Sequence, residues 1–411
     1  MLNNKFLSIL KQLVLEVLTF KYPTDKVLTN FFRDNKKLDA EERHIVAETV
    51  YGLLRNYYKI TTIINKKNTL DLIGIVWLKI LKLEPKLLKS ITGINFAQLE
   101  QLHFKDDFLS ITELPQWITD RLTKYNSLED VIAMAQFLQT EAPLDLRVNI
   151  LKTDVKSVFA TLIAEKLDPQ LMQFSPYGIR LTHKIFLAKH NLFTKGLIEV
   201  QDESSQIAGM LLNPKRGDML VDFCAGSGGK TLILGMLMRG LGRIYALDVH
   251  EKRLNNLTPR LARSGLSNVY PRLIAHENDS KIKRLHGKID RVFVDVPCTG
   301  FGTLRRNPEL KFRQKENNLP EINAKQLSIL TAASKLVKSG GHLVYATCSI
   351  LQCENQDIVN KFLQDNLNFK LTPANLELNQ PKLIDSDGYL VLLPHIHHTD
   401  GFFAALLQRI D

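Results

Sequence analysis

The sequence predicts an α/β protein built on a mostly parallel, doubly wound sheet, preceded by an all-helical region and a small α/β segment. Three observations predict it. Short β-rich runs alternate with helical stretches through the C-terminal half. Upstream of residue 140 strand signals are scarce, and apolar residues recur at three- and four-residue spacing. The chain also has 411 residues, more than one compact core accommodates. The expected domains are 1–140 (all-helical), 141–196 (a small α/β segment) and 197–411 (the sheet domain).

The elements follow in order. "ILKQLVLEVL", "LDAEERHIVAETVYGLLRNYYKI" and "DLIGIVWLKILKL" carry helical periodicity. Asp39 is the expected N-cap of the second of these, with Glu42 placed to close a capping box. Lys36, Lys37, Arg55, Lys59, Lys66 and Lys67 form either a basic face or an ordinary solvated surface. Near Pro143 the texture changes. "APLDLRVNILK" reads as a strand, "DVKSVFATLIAEKL" as a helix and "YGIRLTHK" as a strand. From Gly196 onward the strands are "MLVDF", "RIYALDV", "VYPRLI", "DRVFVDV" and "HLVYATC", with helices such as "GKTLILGMLMRG" between them. Apolar, β-branched runs of this kind suit a parallel sheet buried on both faces.

Composition narrows the class. Lys and Arg total 54 against 43 for Asp and Glu, a net charge of +11, which favours a polyanionic partner, nucleic acid first. No apolar run is long enough to span a bilayer, and Lys11 and Glu16 interrupt the apolar N-terminus. The cysteines, Cys224, Cys298, Cys348 and Cys353, make neither a paired framework nor a CxxC zinc pattern. A cytoplasmic chain with free thiols, no membrane association and no metal is expected, acting as a monomer.

In doubly wound sheets, ligands bind beyond the carboxyl ends of the strands. Those ends read "DFCAGSGGKT", "LDVHE", "HENDS", "DVPCTGFG" and "ATCSI". The first finishes like a phosphate loop, but G-x-x-x-x-G-K-[ST] requires glycine where Cys224 stands. Asp248 ends the next strand 19 residues beyond Gly229, the place of an acid that accepts hydrogen bonds from a ribose diol. Gly226, Gly228 and Gly229 permit close backbone approach. The loop therefore reads as a site for a nucleoside-type cofactor. NAD remains possible, although its G-x-G-x-x-G spacing is absent, and S-adenosylmethionine is the better candidate.

Cys298 and Cys348 both end strands on the ligand side, where they can face one pocket. Cys224 and Cys353 read as structural thiols. A thiol beside a methyl donor suits alkylation of a pyrimidine at carbon 5. Adding a thiolate at carbon 6 makes carbon 5 nucleophilic, and an acid near ring nitrogen 3 absorbs the developing charge. Asp295 is placed for that role.

These motifs resemble those of the Sun-type RNA cytosine-C5 methyltransferases, in particular the bacterial small-subunit rRNA enzymes with a NusB-like N-terminal domain. "DFCAGSGGKT" is similar to the family's D-x-C-A-A-P-G-G-K-T, "DVPCTGFGTLRRNPELKF" to its fourth motif, and "GGHLVYATCSILQCEN" to its sixth. "GLIEVQDESSQ", "DGFFAALLQRI", "LPQWI", "APLDLRVN" and "LDAEERHIVAETVYGLLR" extend the resemblance over nearly the whole chain. It implies a Rossmann-like methyltransferase domain behind a NusB-like RNA-binding domain and an RRM-like segment. It implies S-adenosylmethionine as cofactor and RNA as partner, with rRNA or a ribosomal subunit precursor expected. Cys348 matches the nucleophile, Cys298 the thiol that assists release, and Asp295 the acid contacting the cytosine. Residue spacing alone does not say which cysteine attacks. Cys224, Ala225, Gly226, Ser227, Gly228, Gly229, Lys230, Asp248, Asp279 and Asp295 match cofactor-site positions, with Asn278 a rival to Asp279. Gly226-Ser227 departs from the family's Ala-Pro, and Val296 stands where Ala is usual.

Two further features bear on function. Arg305, Arg306 and Lys311, with Arg313, follow the Pro-Cys motif and are expected to contact RNA phosphates. "PHIHH" is expected to be an exposed loop rather than a metal site. The alternative to an enzyme is a non-catalytic RNA-binding factor of the antitermination type, suggested by the helical domain.

Overall fold

A computed structural model describes residues 2–65, 68–183, 185–374, 378 and 380–411. Lys66 and Lys67 of the expected basic face, and Lys184 at the end of one expected strand, lie outside the described residues. The chain divides into two compact units, one of Met1–Glu141 with Thr303–Asn317, the other of Ala142–Gly302 with Asn318–Asp411.

The first unit is helical. Its N-terminal helix, Asn4–Val17, buries Phe6, Leu10, Leu13 and Val14. The helix Ala40–Arg55 begins with the expected capping box: Glu42 N–H donates to Asp39 (2.8 Å), and Asp39 N–H donates to the Glu42 carboxylate (3.1 Å). Trp77 is fully buried, and its indole N–H finds Thr49 Oγ1 at 2.8 Å, as a buried indole requires. Arg55 is also buried, stacked toward Tyr51 and 3.8 Å from Glu141. It therefore contributes nothing to a basic face.

The excursion Thr303–Asn317 is woven into this unit. Phe312 stacks on Phe20 with ring centroids 4.5 Å apart and meets Tyr57 edge-on. Glu309 accepts from Thr24 N–H (3.0 Å), and Glu316 pairs with Arg121 (2.9 Å).

The second unit carries both sheets. A small antiparallel sheet has strands β1 (Leu144–Val148), β2 (Pro169–Leu171), β3 (Gly178–Leu181) and β4 (Ile198–Val200), in the order β2-β3-β1-β4. The sequence indicated β1 and β3. β2 and β4, at three residues each, are too short to show a period-two pattern. β4 pairs with β1, Leu146 opposite Val200, so this sheet runs past the expected boundary at residue 196. Arg180 clamps Asp145 across β3 and β1 through two bonds of 2.7 and 2.8 Å.

The larger sheet contains β5 (Met219–Asp222), β6 (Arg243–Asp248), β7 (Val269–Leu273), β8 (Ile289–Asp295), β9 (Val337–Thr347), β10 (Phe369–Thr372), β11 (Leu390–Leu392) and β12 (Phe402–Arg409). Its order is β10-β12-β9-β8-β5-β6-β7, with β11 on β12. β5 to β9 pair in parallel, and β12 runs antiparallel to β9, Ala404 opposite Ala346. Both faces of its centre are buried. Ile244, Ala246 and Val344 pack on one side, Leu247, Val292 and Tyr345 on the other, which explains the unbroken apolar runs. The topology reverses direction beside β5 and β8, the switch point where such sheets bind ligands.

Candidate active site

The glycine loop follows β5. Ala225 N–H donates to Leu247 O and Gly226 N–H to the Asp248 carboxylate, both at 2.8 Å, so the ends of β5 and β6 are laced together. Gly226 has φ +56, and a Cβ there would project into open space. Gly228 has φ +86, and a Cβ there would lie 2.1 Å from Leu257. Only glycine fits at Gly228. The helix Gly229–Leu237 starts immediately after, pointing its free N–H groups toward the loop. Beneath it, Asp222 is fully buried and accepts from Thr231 Oγ1 (2.6 Å), and burial pushes its carboxyl up to about 7. Ser227 O accepts from Arg260 (2.6 Å). Cys224 packs against the core, where burial raises its thiol.

The small sheet supports this loop from outside. Arg147 and Gln201 converge on Gly229 O, at 3.5 and 3.1 Å, and donate and accept between themselves at 2.8 Å. Burial pushes the Arg147 guanidinium down to about 9. Both residues lie in segments that resemble the family, "APLDLRVN" and "GLIEVQDESSQ", but neither is among the expected site residues.

The two expected reactive thiols meet. Cys298 Sγ and Cys348 Sγ lie 3.3 Å apart, at the ends of β8 and β9. The Cys298 thiol is pushed well above its ordinary value, first by the hydrogen bond to Cys348 and then by burial. Lys230, from the glycine loop, pairs with Asp295 at 2.7 Å and lies over the Phe402 ring. Burial works against the Lys230 ammonium, but Asp295 and Cys348 together hold it above its usual range. Asp295, Lys230, Cys298 and Cys348 thus form one cluster; the two cysteines face one another, as strand ends on one side of the sheet allow, and Lys230 joins them from the glycine loop.

A buried brace that sequence reading did not single out holds the two thiol loops together. Glu354 is fully buried. One carboxylate oxygen accepts from Thr299 N–H (2.8 Å) and from Gln326 (3.0 Å). The other accepts from the hydroxyls of Thr299 (2.5 Å) and Ser349. Gln326 also donates to Pro297 O at 3.1 Å. One carboxylate therefore ties the residue after each cysteine to the other. A close backbone approach adds a second tie. Gly302 N–H donates to Cys348 O (2.9 Å) and Gly401 N–H to Gly302 O (2.8 Å), and a Cβ on Gly302 would sit 2.1 Å from Gly401 O.

Among the remaining expected residues, Asp248 accepts from Gly226 N–H and His250 N–H, one on each oxygen. Asp279 caps the short helix Ser280–Lys283, and its two oxygens accept from Lys281 N–H and Ala275 N–H (2.8 Å each), which holds its carboxyl below the usual range. Asn278 is exposed.

The expected phosphate contacts need correction. Lys311 is 4% exposed, paired with Glu113 (3.1 Å) and donating to Arg55 O. Arg305 is 6% exposed, donates to Glu141 O (2.7 Å) and stacks over Phe137. Both cations serve the helical unit, and a buried, paired cation does not reach a phosphate. Arg306 is half-buried. The histidine segment is likewise not a loop: Pro394–His397 is a helical turn, and His397 is buried against Leu393. No group of three or more His, Cys, Asp or Glu suited to a metal occurs among the described residues. No helix among them is long and apolar enough to cross a membrane.

A family model described as 16S rRNA methyltransferase RsmB/F matches residues 209–408, and one for the ferredoxin-like domain of the same proteins matches 114–186. A Synechocystis protein described as a probable ribosomal RNA small subunit methyltransferase B is 33% identical over 322 residues, covering 77% of this chain and 70% of that one. This chain belongs to the RsmB/F family. The family comprises S-adenosylmethionine-dependent RNA cytosine-C5 methyltransferases. A human 28S rRNA (cytosine(4447)-C(5))-methyltransferase is 28% identical over 326 residues, 75% of this chain and 39% of that one. Among solved structures, PH0851 matches with a TM-score of 0.80 and 25% identity, covering 98% of this chain and 97% of that chain. NSun6 from Pyrococcus horikoshii, solved with SFG, shares the fold with a TM-score of 0.66 at 20% identity, over 73% of this chain and 100% of that chain.

Proposed function

We propose that this RsmB/F protein methylates carbon 5 of a cytosine in small-subunit (16S-type) rRNA, through a covalent bond between Cys348 and the base. The observation that carries the reading is the 3.3 Å contact of Cys298 and Cys348 beside the Lys230–Asp295 pair. The two sulfurs share one hydrogen-bond contact in which either can donate, and the Lys230 ammonium is held beside Cys348 and Asp295; Cys348 is taken as the nucleophile because it matches the nucleophile position of the family's sixth motif.

In this mechanism Cys348 attacks carbon 6 of an unpaired or flipped-out cytosine, and the ring becomes nucleophilic at carbon 5. Asp295 contacts the ring near nitrogen 3, held in place by Lys230. After carbon 5 is alkylated, its proton leaves to a base, the electrons return to the ring and the Cys348–carbon 6 bond breaks. Cys298 assists that release. Bound S-adenosylmethionine supplies an electrophilic methyl group. The loop Cys224–Lys230 would hold it, the Gly226 position offering open space and Asp248 keeping a second lone pair on each oxygen for ribose hydroxyls. Asn278 or Asp279 would contribute at the adenine end. The protein is proposed to work in the cytoplasm as a monomer on rRNA or a ribosomal subunit precursor.

The test is a pair of variants incubated with RNA and S-adenosylmethionine. Cys298→Ala accumulates a covalent protein–RNA adduct. Cys348→Ala forms neither adduct nor product, with methyl transfer reduced by roughly 10⁴-fold or more. An adduct in Cys348→Ala would overturn the assignment. Bisulfite sequencing of rRNA with and without the gene identifies the target.

A further inference from the structure

β6 and the edge strand β7 are covered unequally. On one face the helix Glu251–Ser264 packs Leu257 against Ala246 and Val269. On the other, the return from β7 to β8 contains only the single-turn helix Ser280–Lys283, which is too short to cover the strands. A hollow of about 590 Å³ remains, floored by Tyr245 and Leu247 and lined by Ile282 and Leu285. It adjoins a second of about 470 Å³, floored by Tyr245 and Tyr270. The two share Arg272 and Arg284, so they form one groove along the sheet edge.

The rim of that groove is cationic. Arg243, Arg272, Lys281, Arg284 and Lys288 line it, all exposed, and no acidic side chain lines either hollow. The floor is aromatic. The Tyr245 and Tyr270 rings lie 6.0 Å apart, and the Arg243 guanidinium sits 5.2 Å over Tyr270 while donating to Tyr245 Oη at 3.3 Å. Like charges gathered without a carboxylate repel one another and favour a polyanion. Flat aromatic faces between them favour an anion that also carries stackable rings.

We propose that this groove binds single-stranded RNA at nucleotides outside the reactive site. Phosphates lie along the arginine and lysine rim, and bases stack on Tyr245 and Tyr270. The upper end of the groove adjoins the Asp248 strand end, where Ile274 N–H donates to Asp248 O (3.1 Å). Strand β7 is three strand spacings from β8, about 15 Å from the end that bears Cys298. The groove therefore takes flanking nucleotides and not the target base. The proposal rests on the RNA-methylating function above and has its own readout.

The experiment compares the wild-type protein with Arg272→Glu/Arg284→Glu/Lys288→Glu and, separately, with the milder Tyr270→Ala. Binding of a single-stranded RNA longer than the active site is measured across a salt series, with thermal melting and S-adenosylmethionine binding to establish folding. The triple variant is expected to lose at least about tenfold in RNA affinity. Its slope of log K against log salt falls by about 2, the loss of three phosphate contacts. Tyr270→Ala weakens binding with the slope retained, because it removes stacking and no charge. In methyl transfer the triple variant raises KM for RNA more than it lowers kcat. Wild-type affinity and slope in the folded triple variant would overturn the proposal, and so would wild-type affinity in Tyr270→Ala should the triple variant not fold. If the wild type binds RNA through the groove but transfers no methyl group, the functional reading fails and the groove stands. If it methylates RNA and the variants bind normally, only the groove fails.

Discussion

The glycine loop after β5 and the two thiol loops after β8 and β9 each hold functional groups at strand ends, but by different means. The glycine turn Ala225–Gly228 is held by its backbone: Ala225 and Gly226 N–H groups are fixed by Leu247 and Asp248, while the first side chains of the helix after it, Lys230 and Thr231, reach Asp295 and Asp222. The thiol loops are held by buried side chains, with the Glu354 carboxylate accepting four hydrogen bonds at their centre. Substitution is accordingly tolerated in different places. Gly226-Ser227 departs from the family pattern at a place where main-chain atoms make the contacts, whereas Thr299, Ser349, Glu354 and Gln326 depend on one another's functional groups.

Disturbing the thiol loops costs the most activity. Gly302→Ala drives a Cβ into Gly401 O and must separate the β8 and β9 loops or displace β12. Methyl transfer is expected to fall roughly a hundredfold, since a misplacement of about 1 Å suffices for that. Single-turnover kinetics at saturating RNA and cofactor measures it. Unaltered turnover would show that the close approach does not position the thiols.

Glu354→Gln alters the buried acceptor without changing its shape. The amide group offers an N–H₂ where hydroxyl and amide donors already point, so about 2 kcal/mol of stability is lost. Adduct formation slows about tenfold, while the affinity for S-adenosylmethionine, measured by calorimetry, stays near wild type. A variant that loses cofactor affinity and keeps its rate of adduct formation would reverse the distinction between the two regions.

Gly226→Ala should have the smallest effect. The Cβ meets open space, so the penalty is that of a left-handed backbone, about 1 kcal/mol. The melting temperature records it. A much larger loss would mean that the loop depends on side-chain space as the thiol loops do.

What the sequence disclosed follows the same divide. Cys298, Cys348, Asp295 and Asp248 were legible because strand-end positions are predictable from alternating strands and helices, and the topology then places all four at one end of the sheet. Glu354 and Gln326 were not, because an acid in "LQCEN" and an amide in "AKQLSIL" look like surface residues until their partners are known. Arg305 and Lys311 erred in the opposite direction. A cation that seals a helical core and one that grips a phosphate are the same letter, and only burial separates them. Strands β2, β4 and β11, at three residues each, carry too little pattern to read.

The excursion Thr303–Asn317 also affects how the molecule can be cut. A fragment beginning at Ala142 would look like a complete catalytic half, yet it would carry a loop bearing Phe312 and Lys311 with Phe20, Tyr57 and Glu113 gone. That orphaned loop begins one residue after Gly302, the glycine that contacts Cys348 O. The helical unit is therefore not a detachable module. Recombination or engineering that swaps it must move two separate stretches of the gene together.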